Sequence, residues 1–229
     1  MLDEYKLAKR KKLTQSIAFG VIKTLSFSII AILILILSFI VYQGFSSLRL
    51  DFVTKSPEDG MTKGGIYPAI MGTIYLVCLS MLIAFPIGLF AGLYINEYAK
   101  NGLIKRIILF MTSNLAGIPS IVFGIFGVAL FVNKFGFGNS ILSASLTLAL
   151  MALPIIIRIT HEALRAVDNI HREGSMALGA SKWQTTKRVV IPIALPNIMT
   201  GLILSIGRVS GETAPILFTV ATYFLPKLP

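Results

Sequence analysis

The chain has 229 residues, 55% of them apolar and only 14% charged. Soluble domains carry about 25% charged residues, so this composition excludes an ordinary soluble domain. The formal net charge is +11. In a soluble protein that would suggest nucleic acid, but in a chain this apolar it reads as the Lys and Arg excess of cytoplasmic loops.

Residues 1–18 form a basic tail with Lys6, Lys9, Arg10, Lys11 and Lys12, and a charge-free run follows at 24–42. A first membrane helix is expected at about 19–43. Its apolar stretch exceeds the roughly 7–15 residues of a secretion-signal core and lacks a small-residue cleavage pattern. Residues 44–66 are polar, with Pro57, Glu58 and Asp59, and are too short for a domain.

Residues 67–229 form the core. Charge is absent from 64–96, 107–133 and 135–157. At about 1.5 Å per residue, roughly 20 apolar residues cross a 30 Å bilayer core. Helices are therefore expected at about 67–95, 107–132, 139–157 and 193–222. The fold class is an all-α integral membrane protein with about five transmembrane helices. Pro86 and Pro119 are expected to kink their helices. Cys78 has no disulfide partner, and His161 and His171 lack neighbours for a metal site.

Charge sets the orientation. With the N-terminus inside, fifteen of the 21 Lys and Arg fall on cytoplasmic segments and five outside, with Arg208 left within a helix. The N-terminus is therefore expected in the cytoplasm, and 44–66 outside.

The segment 158–192 is expected in the cytoplasm. Gly179 suits a helix end in left-handed conformation, and Ser181 with Gln184 forms a capping box. A helix near 169–178, a Gly turn and a helix near 182–190 follow. The second helix is expected to stop near Pro192. Trp183 and its basic neighbours suit the membrane interface. Spacing alone leaves a solvated hairpin and a docking element equally open.

Glu173, Gly179 six residues on, and Val189, Ile191 and Pro192 resemble the signature loop of ABC-importer permeases. That loop reads Glu-Ala-Ala, three residues, Gly, nine residues, Ile-x-Leu-Pro. Gly174 and Ser175 stand at the two Ala positions. The segments Gly117 to Gly124, Glu162 to Val167, Ala177 to Thr185 and Gly211 to Pro215 are similar to PstA-type permeases of phosphate importers. The resemblance runs from about residue 65 to the end. It implies a cytoplasmic coupling helix at 158–192 that docks on an ATPase through Glu173, Gly174, Ser175, Gly179 and Pro192. PstA-type permeases usually have six membrane helices, whereas this sequence stops at Pro229, just after the fifth.

Arg208 and Glu212 lie near the middle of the last apolar segment. An Arg at the bilayer centre costs about 2.5–3.5 kcal/mol on insertion scales. The i, i+4 spacing lets the two pair on one helix face, beside Ser210 and Thr213. Two readings stay open. One is a structural ion pair. The other is an anion pathway, in which the planar guanidinium matches phosphate oxygens and the carboxylate tempers or selects the anion. Gly211 and Pro215 flank Glu212 and suit a helix break there. Arg158, at the cytoplasmic mouth of the fourth helix, is favoured as a topology anchor over an exit-side anion contact. Asn114 and Ser120 either line the path or bond between helices.

The resemblance implies a permease subunit for inorganic phosphate in the cytoplasmic membrane of a bacterium or archaeon. Its implied partners are a second similar permease, an ATPase dimer, an extracytoplasmic phosphate-binding protein and membrane lipid, with no nucleic acid. No Gly-x4-Gly-Lys-Ser/Thr loop occurs, so no cofactor is expected in this chain, and ATP and Mg would act on the partner ATPases. Molybdate or sulfate is the rival substrate. An ATP-independent anion channel or exchanger, and a membrane enzyme using His161 and Glu162, are the rival functions.

Overall fold

A computed structural model describes residues 2–220, and the side chains among them except those of 2–10, Leu13, Ser46 and Met61. The chain divides into two units, residues up to Tyr67 and residues from Pro68 onward.

In the first unit the basic tail and the first apolar run form one helix, α1 (Leu2–Gly44). The tail is therefore a helical extension of the membrane segment. Every described side chain from Lys11 to Gly44 is exposed within this unit. After Gly44 come a short helix α2 (Leu50–Thr54) and a two-residue hairpin, β1 (Pro57–Glu58) with β2 (Lys63–Gly64), in which Pro57 pairs with Gly64 and Glu58 with Lys63. Asp59 and Gly60 take positive φ at its turn. Lys63 pairs with Asp59 at 2.9 Å. The amides of Gly65 and Ile66 donate to the Ser56 and Phe52 carbonyls, tying hairpin to helix.

The second unit begins with α3 (Tyr67–Leu93), which runs through Pro86 without a break and ends in a wide π turn, Tyr94–Tyr98. Next come α4 (Leu103–Leu115) and α5 (Ser120–Gly127), the latter continued by a π segment to Lys134. Sequence patterning treats 107–132 as one helix, but α4 and α5 are bent by 100°. The residue before a proline is pushed from helical to extended backbone, and Pro119 itself is extended, at ψ 137. Hydropathy is blind to such a break because both arms are apolar.

The central element is α6 (Ile141–Arg165), capped at its start by Ser140, whose hydroxyl accepts the Ser143 amide. It runs eight residues beyond the expected end at 157, so Arg158 and His161 lie within a helix. Leu148, Met151, Ala152 and Ile156 of α6 form a core with Leu76, Met81 and Ala84 of α3 and Val209 further on. A second cluster joins Ala163 and Leu164 to Leu93, Val190, Ala194 and Ile198.

Two short helices, α7 (Asn169–Ala177) and α8 (Lys182–Thr185), make the hairpin after α6. α8 does not stop near Pro192. A π segment, Thr186–Val190, leads directly into α9 (Ile191–Ser210), and Lys182–Ser210 is one span. In a regular helix the proline ring would meet the carbonyl four residues back. Here the widened turn precedes Pro192, which sits in the first turn of α9, where proline is tolerated.

The last apolar segment is also not one helix. α9 ends at Ser210, and α10 (Ala214–Thr219) starts beyond Gly211, Glu212 and Thr213. Residues 221 and 222, the expected end of the segment, lie outside the described residues. Four helices are long and apolar enough to cross a membrane, or five with the bent α4 and α5 as one span. The chain is thus a multi-pass α-helical membrane protein.

Candidate functional site: a helical hairpin and a charged helix break

The hairpin is built from local signals. Asp168 caps α7 by accepting the Ile170 amide. At the other end Gly179 takes φ +85. The Ala180 amide donates to the Ser175 carbonyl at 3.3 Å, and the Gly179 amide to the Met176 carbonyl at 2.9 Å. This 6→1 and 5→2 pair is the Schellman closure, which needs a left-handed residue where Gly179 stands. Ser181 then starts α8: its hydroxyl accepts the Gln184 amide at 3.3 Å, while Gln184 accepts the Ser181 amide at 2.8 Å. The expected Gly turn and capping box are both present.

Ser175 and Thr185 share a hydroxyl–hydroxyl hydrogen bond of 2.9 Å across the hairpin. Glu173 and Gly174 are exposed. A Cβ on Gly174 would meet nothing within 4 Å, so its smallness serves no contact among the described residues. Apolar side chains also face outward: Leu178 is 91% exposed, and Ile170, Met176 and Trp183 are exposed beside it. Pro192 is exposed at the start of α9.

The root of this hairpin holds an ion pair that sequence reasoning missed. Arg172 donates to both carboxylate oxygens of Glu97, at 2.8 and 3.3 Å. It also donates to the carbonyls of Leu164 at 2.8 Å and Val167 at 2.7 Å, and to Asn169 Oδ1 at 3.2 Å. Asn96 donates to Glu97 at 2.7 Å. The Arg172 and Glu97 side chains are only 15% and 6% exposed. Removing one partner of such a pair typically costs about 3–5 kcal/mol. The residues are 75 apart, so no local spacing announces them. The available signal was Glu97, a lone acid closing a long charge-free run.

The second charged place is the break between α9 and α10. Arg208 lies in the last turn of α9, where a cation complements the helix dipole. Its Nε stands 3.6 Å from Glu212 Oε1, an ion pair rather than a close hydrogen bond. The Arg208 side chain is 43% exposed and Glu212 14%. Glu212 follows the helix end, in the non-helical link. Ser210 turns its hydroxyl back to the Ile206 carbonyl at 2.8 Å, and Thr213 precedes α10 without a side-chain cap bond.

Arg158 does not join this place. It pairs with Glu162 at 2.8 Å on the exposed side of α6. Ile159 next to it abuts Gly201 of α9, seven residues before Arg208, or about 10 Å along the helix. His161 is buried on another side of α6, and no hydrogen bond reaches its Nδ1. With Glu162 exposed and tied to Arg158, the two do not form an acid–base pair. Asn114 donates to the Phe110 carbonyl of its own helix. No cluster of three potential metal ligands occurs among the described residues.

Membrane helices joined by this hairpin, with a polar break in the last apolar segment, are the features to compare with known proteins. Residues 84–226 match the family described as binding-protein-dependent transport system inner membrane component. The chain belongs to that family. It is 39% identical over 209 residues to the probable ABC transporter permease protein YqgI of Bacillus subtilis, covering 91% of this chain and 71% of that protein. It is 41% identical to the phosphate transport system permease protein PstA of Mycobacterium leprae, covering 82% of this chain and 63% of that one. The chain thus spans less than two thirds of that relative. A solved structure of the MetNI methionine ABC transporter in an inward-facing conformation aligns with a TM-score of 0.53 at 21% identity, covering 62% of this chain and 69% of that one. That likeness concerns the fold.

Proposed function

We propose that the chain is the permease subunit of an ATP-driven importer of inorganic phosphate, with its N-terminus and its 158–192 segment in the cytoplasm of a bacterial or archaeal cell and its 44–66 loop outside. The observation that carries this reading is the hairpin: a rigidly capped turn that leaves Glu173 and the apolar side chains of Ile170, Met176, Leu178 and Trp183 exposed. Such a surface suits docking on an ATPase groove, with ATP and Mg held by that partner. The PstA name of the relative that is 41% identical supports phosphate as the cargo. A second permease of similar fold would complete the pathway, and an extracytoplasmic phosphate-binding protein would deliver the anion.

In this reading Arg208 offers a forked donor to phosphate oxygens in a place where Gly211 to Thr213 interrupt the helix. Glu212 keeps the guanidinium from holding the anion too tightly, and it can accept the hydrogen of protonated phosphate. Ser210 and Thr213 add hydroxyls. Arg158, engaged by Glu162 towards the C-terminal end of α6, acts as a topology anchor.

The test is uptake of labelled phosphate into vesicles holding the chain with its partner permease and ATPases, supplied with binding protein. ATP-dependent accumulation is expected. Flux without ATP, or preferential uptake of sulfate or molybdate, would refute the reading.

A further inference from the structure

The cytoplasmic end of α3 touches both halves of the hairpin. Through Glu97 it receives the two-pronged bond from Arg172 of α7, at 2.8 and 3.3 Å. Through Tyr98 it offers a ring face to Lys182 of α8, with Nζ 5.1 Å from the ring centroid. Both residues lie in the π turn Tyr94–Tyr98, and such turns recur at functional places in helices. Arg172 has a second task. Its bonds to the Leu164 and Val167 carbonyls close the C-terminal end of α6, where carbonyls lack their full set of helical partners. One guanidinium thus joins the end of α3, the end of α6 and the root of α7.

The pieces serve different ends. The carbonyl bonds of Arg172 finish α6 whether or not Glu97 is present. The Glu97 carboxylate adds something else, since it fixes a transmembrane helix to the hairpin by a bidentate, nearly dry ion pair. Such pairs have narrow geometric tolerance. A push or pull on α7 is therefore passed to α3 as a rigid-body displacement, where an isolated hairpin would flex on its short connection, Ala166 to Asp168.

We propose that Glu97 is a positioning residue that clamps α3 to the hairpin, so that movement imposed on the hairpin reaches the membrane segment. This rests on the ATP-driven reading above. Tyr98 with Lys182 steadies the same clamp from the α8 side.

The test uses the full reconstituted transporter. Glu97→Gln keeps the size and one acceptor but removes the charge, and it leaves the Arg172 bonds to the α6 carbonyls in place. Two readouts are taken. The first is phosphate accumulated per ATP hydrolysed. It is expected to fall roughly tenfold in Glu97→Gln, within the range seen when coupling residues are altered, while ATP hydrolysis persists. The second is the distance between spin labels at the exposed positions Phe90 and Ile170, with Cys78 replaced. The wild-type distance is expected to be the same with and without ATP, and in Glu97→Gln it should change. A changing wild-type distance would overturn the clamp. So would wild-type uptake per ATP in Glu97→Gln, even with reduced protein abundance, since that pattern belongs to a purely structural residue. If the wild-type complex moved no phosphate with ATP, the functional reading would fail instead, and the label distances would still decide the clamp.

Discussion

Ser175 and Thr185, one on each helix of the hairpin, meet hydroxyl to hydroxyl at 2.9 Å. Thr185 is buried, at 3% exposure. Ser175→Ala should therefore cost about 1 kcal/mol, because a buried hydroxyl loses a partner. Amide hydrogen exchange across 169–186 is the measurement, and protection should fall there while α6 is unchanged. Equal protection in both proteins would show that the bond contributes nothing.

Gly179 is a sharper case, because its φ of +85 is closed to most side chains. No neighbouring atom would obstruct a Cβ, so any effect of substitution comes from the backbone. Gly179→Ala should destabilise the turn by about 1 kcal/mol. Gly179→Asn should be milder, since Asn tolerates that region. Gly174→Ala should leave the fold intact or strengthen α7 by up to about 1 kcal/mol. Co-purification with the ATPases should follow the order Gly174→Ala, Gly179→Asn, Gly179→Ala. Weaker co-purification for Gly174→Ala than for Gly179→Ala would contradict the backbone argument.

Arg208 and Glu212 can be separated from a mere structural pair. Arg208→Ala leaves Glu212 largely buried and unpaired, so protein abundance should drop. The double change Arg208→Met with Glu212→Leu should restore abundance but not phosphate uptake. Arg208→Lys keeps the charge and loses the fork, and uptake per inserted protein should fall about tenfold, the worth of one charge-assisted hydrogen bond. Wild-type uptake by the apolar double variant would remove the pair from the pathway.

Orientation is testable by labelling. With Cys78 replaced, single cysteines at Lys12 and Glu173 should resist an impermeant thiol reagent in intact cells, whereas one at Glu58 should react. Ready labelling at Glu173 from outside would reverse the topology.

The hairpin was legible because its signals are short-range. Gly179, Ser181 and Gln184 act on their own neighbours, and the observed bonds are the expected ones. The apolar runs were legible for the same reason, as stretches long enough to cross a membrane. Helix continuity was legible only in part: a kink at Pro119 and a break at Glu212 were expected, but not the size of the bend, nor that α3 runs through Pro86 and that the helix continues through Pro192. Pro119 marks a 100° bend and Gly211 to Thr213 a gap, yet Pro192 stops nothing. Pro86 also lies inside an unbroken α3, so a proline in an apolar run does not by itself mark a helix end. Glu97 and Arg172 were out of reach because their meeting is set by how α3 and α7 pack across 75 residues.

Four glycines grip α6 at close range. Gly88 and Gly92 of α3 face Ile156 and Thr160, where an added Cβ would come within 2.6 and 2.7 Å. Gly127 faces Thr147, and Gly201 faces Ile159. At these points α3, α5 and α9 lay their backbones directly against side chains of α6, with no room for a Cβ between. Motion within the core is then confined to sliding and pivoting, with α6 as the axle. Any side chain larger than hydrogen at these four points would act as a wedge on that axle, slowing the turn of its neighbours before it unfolded anything.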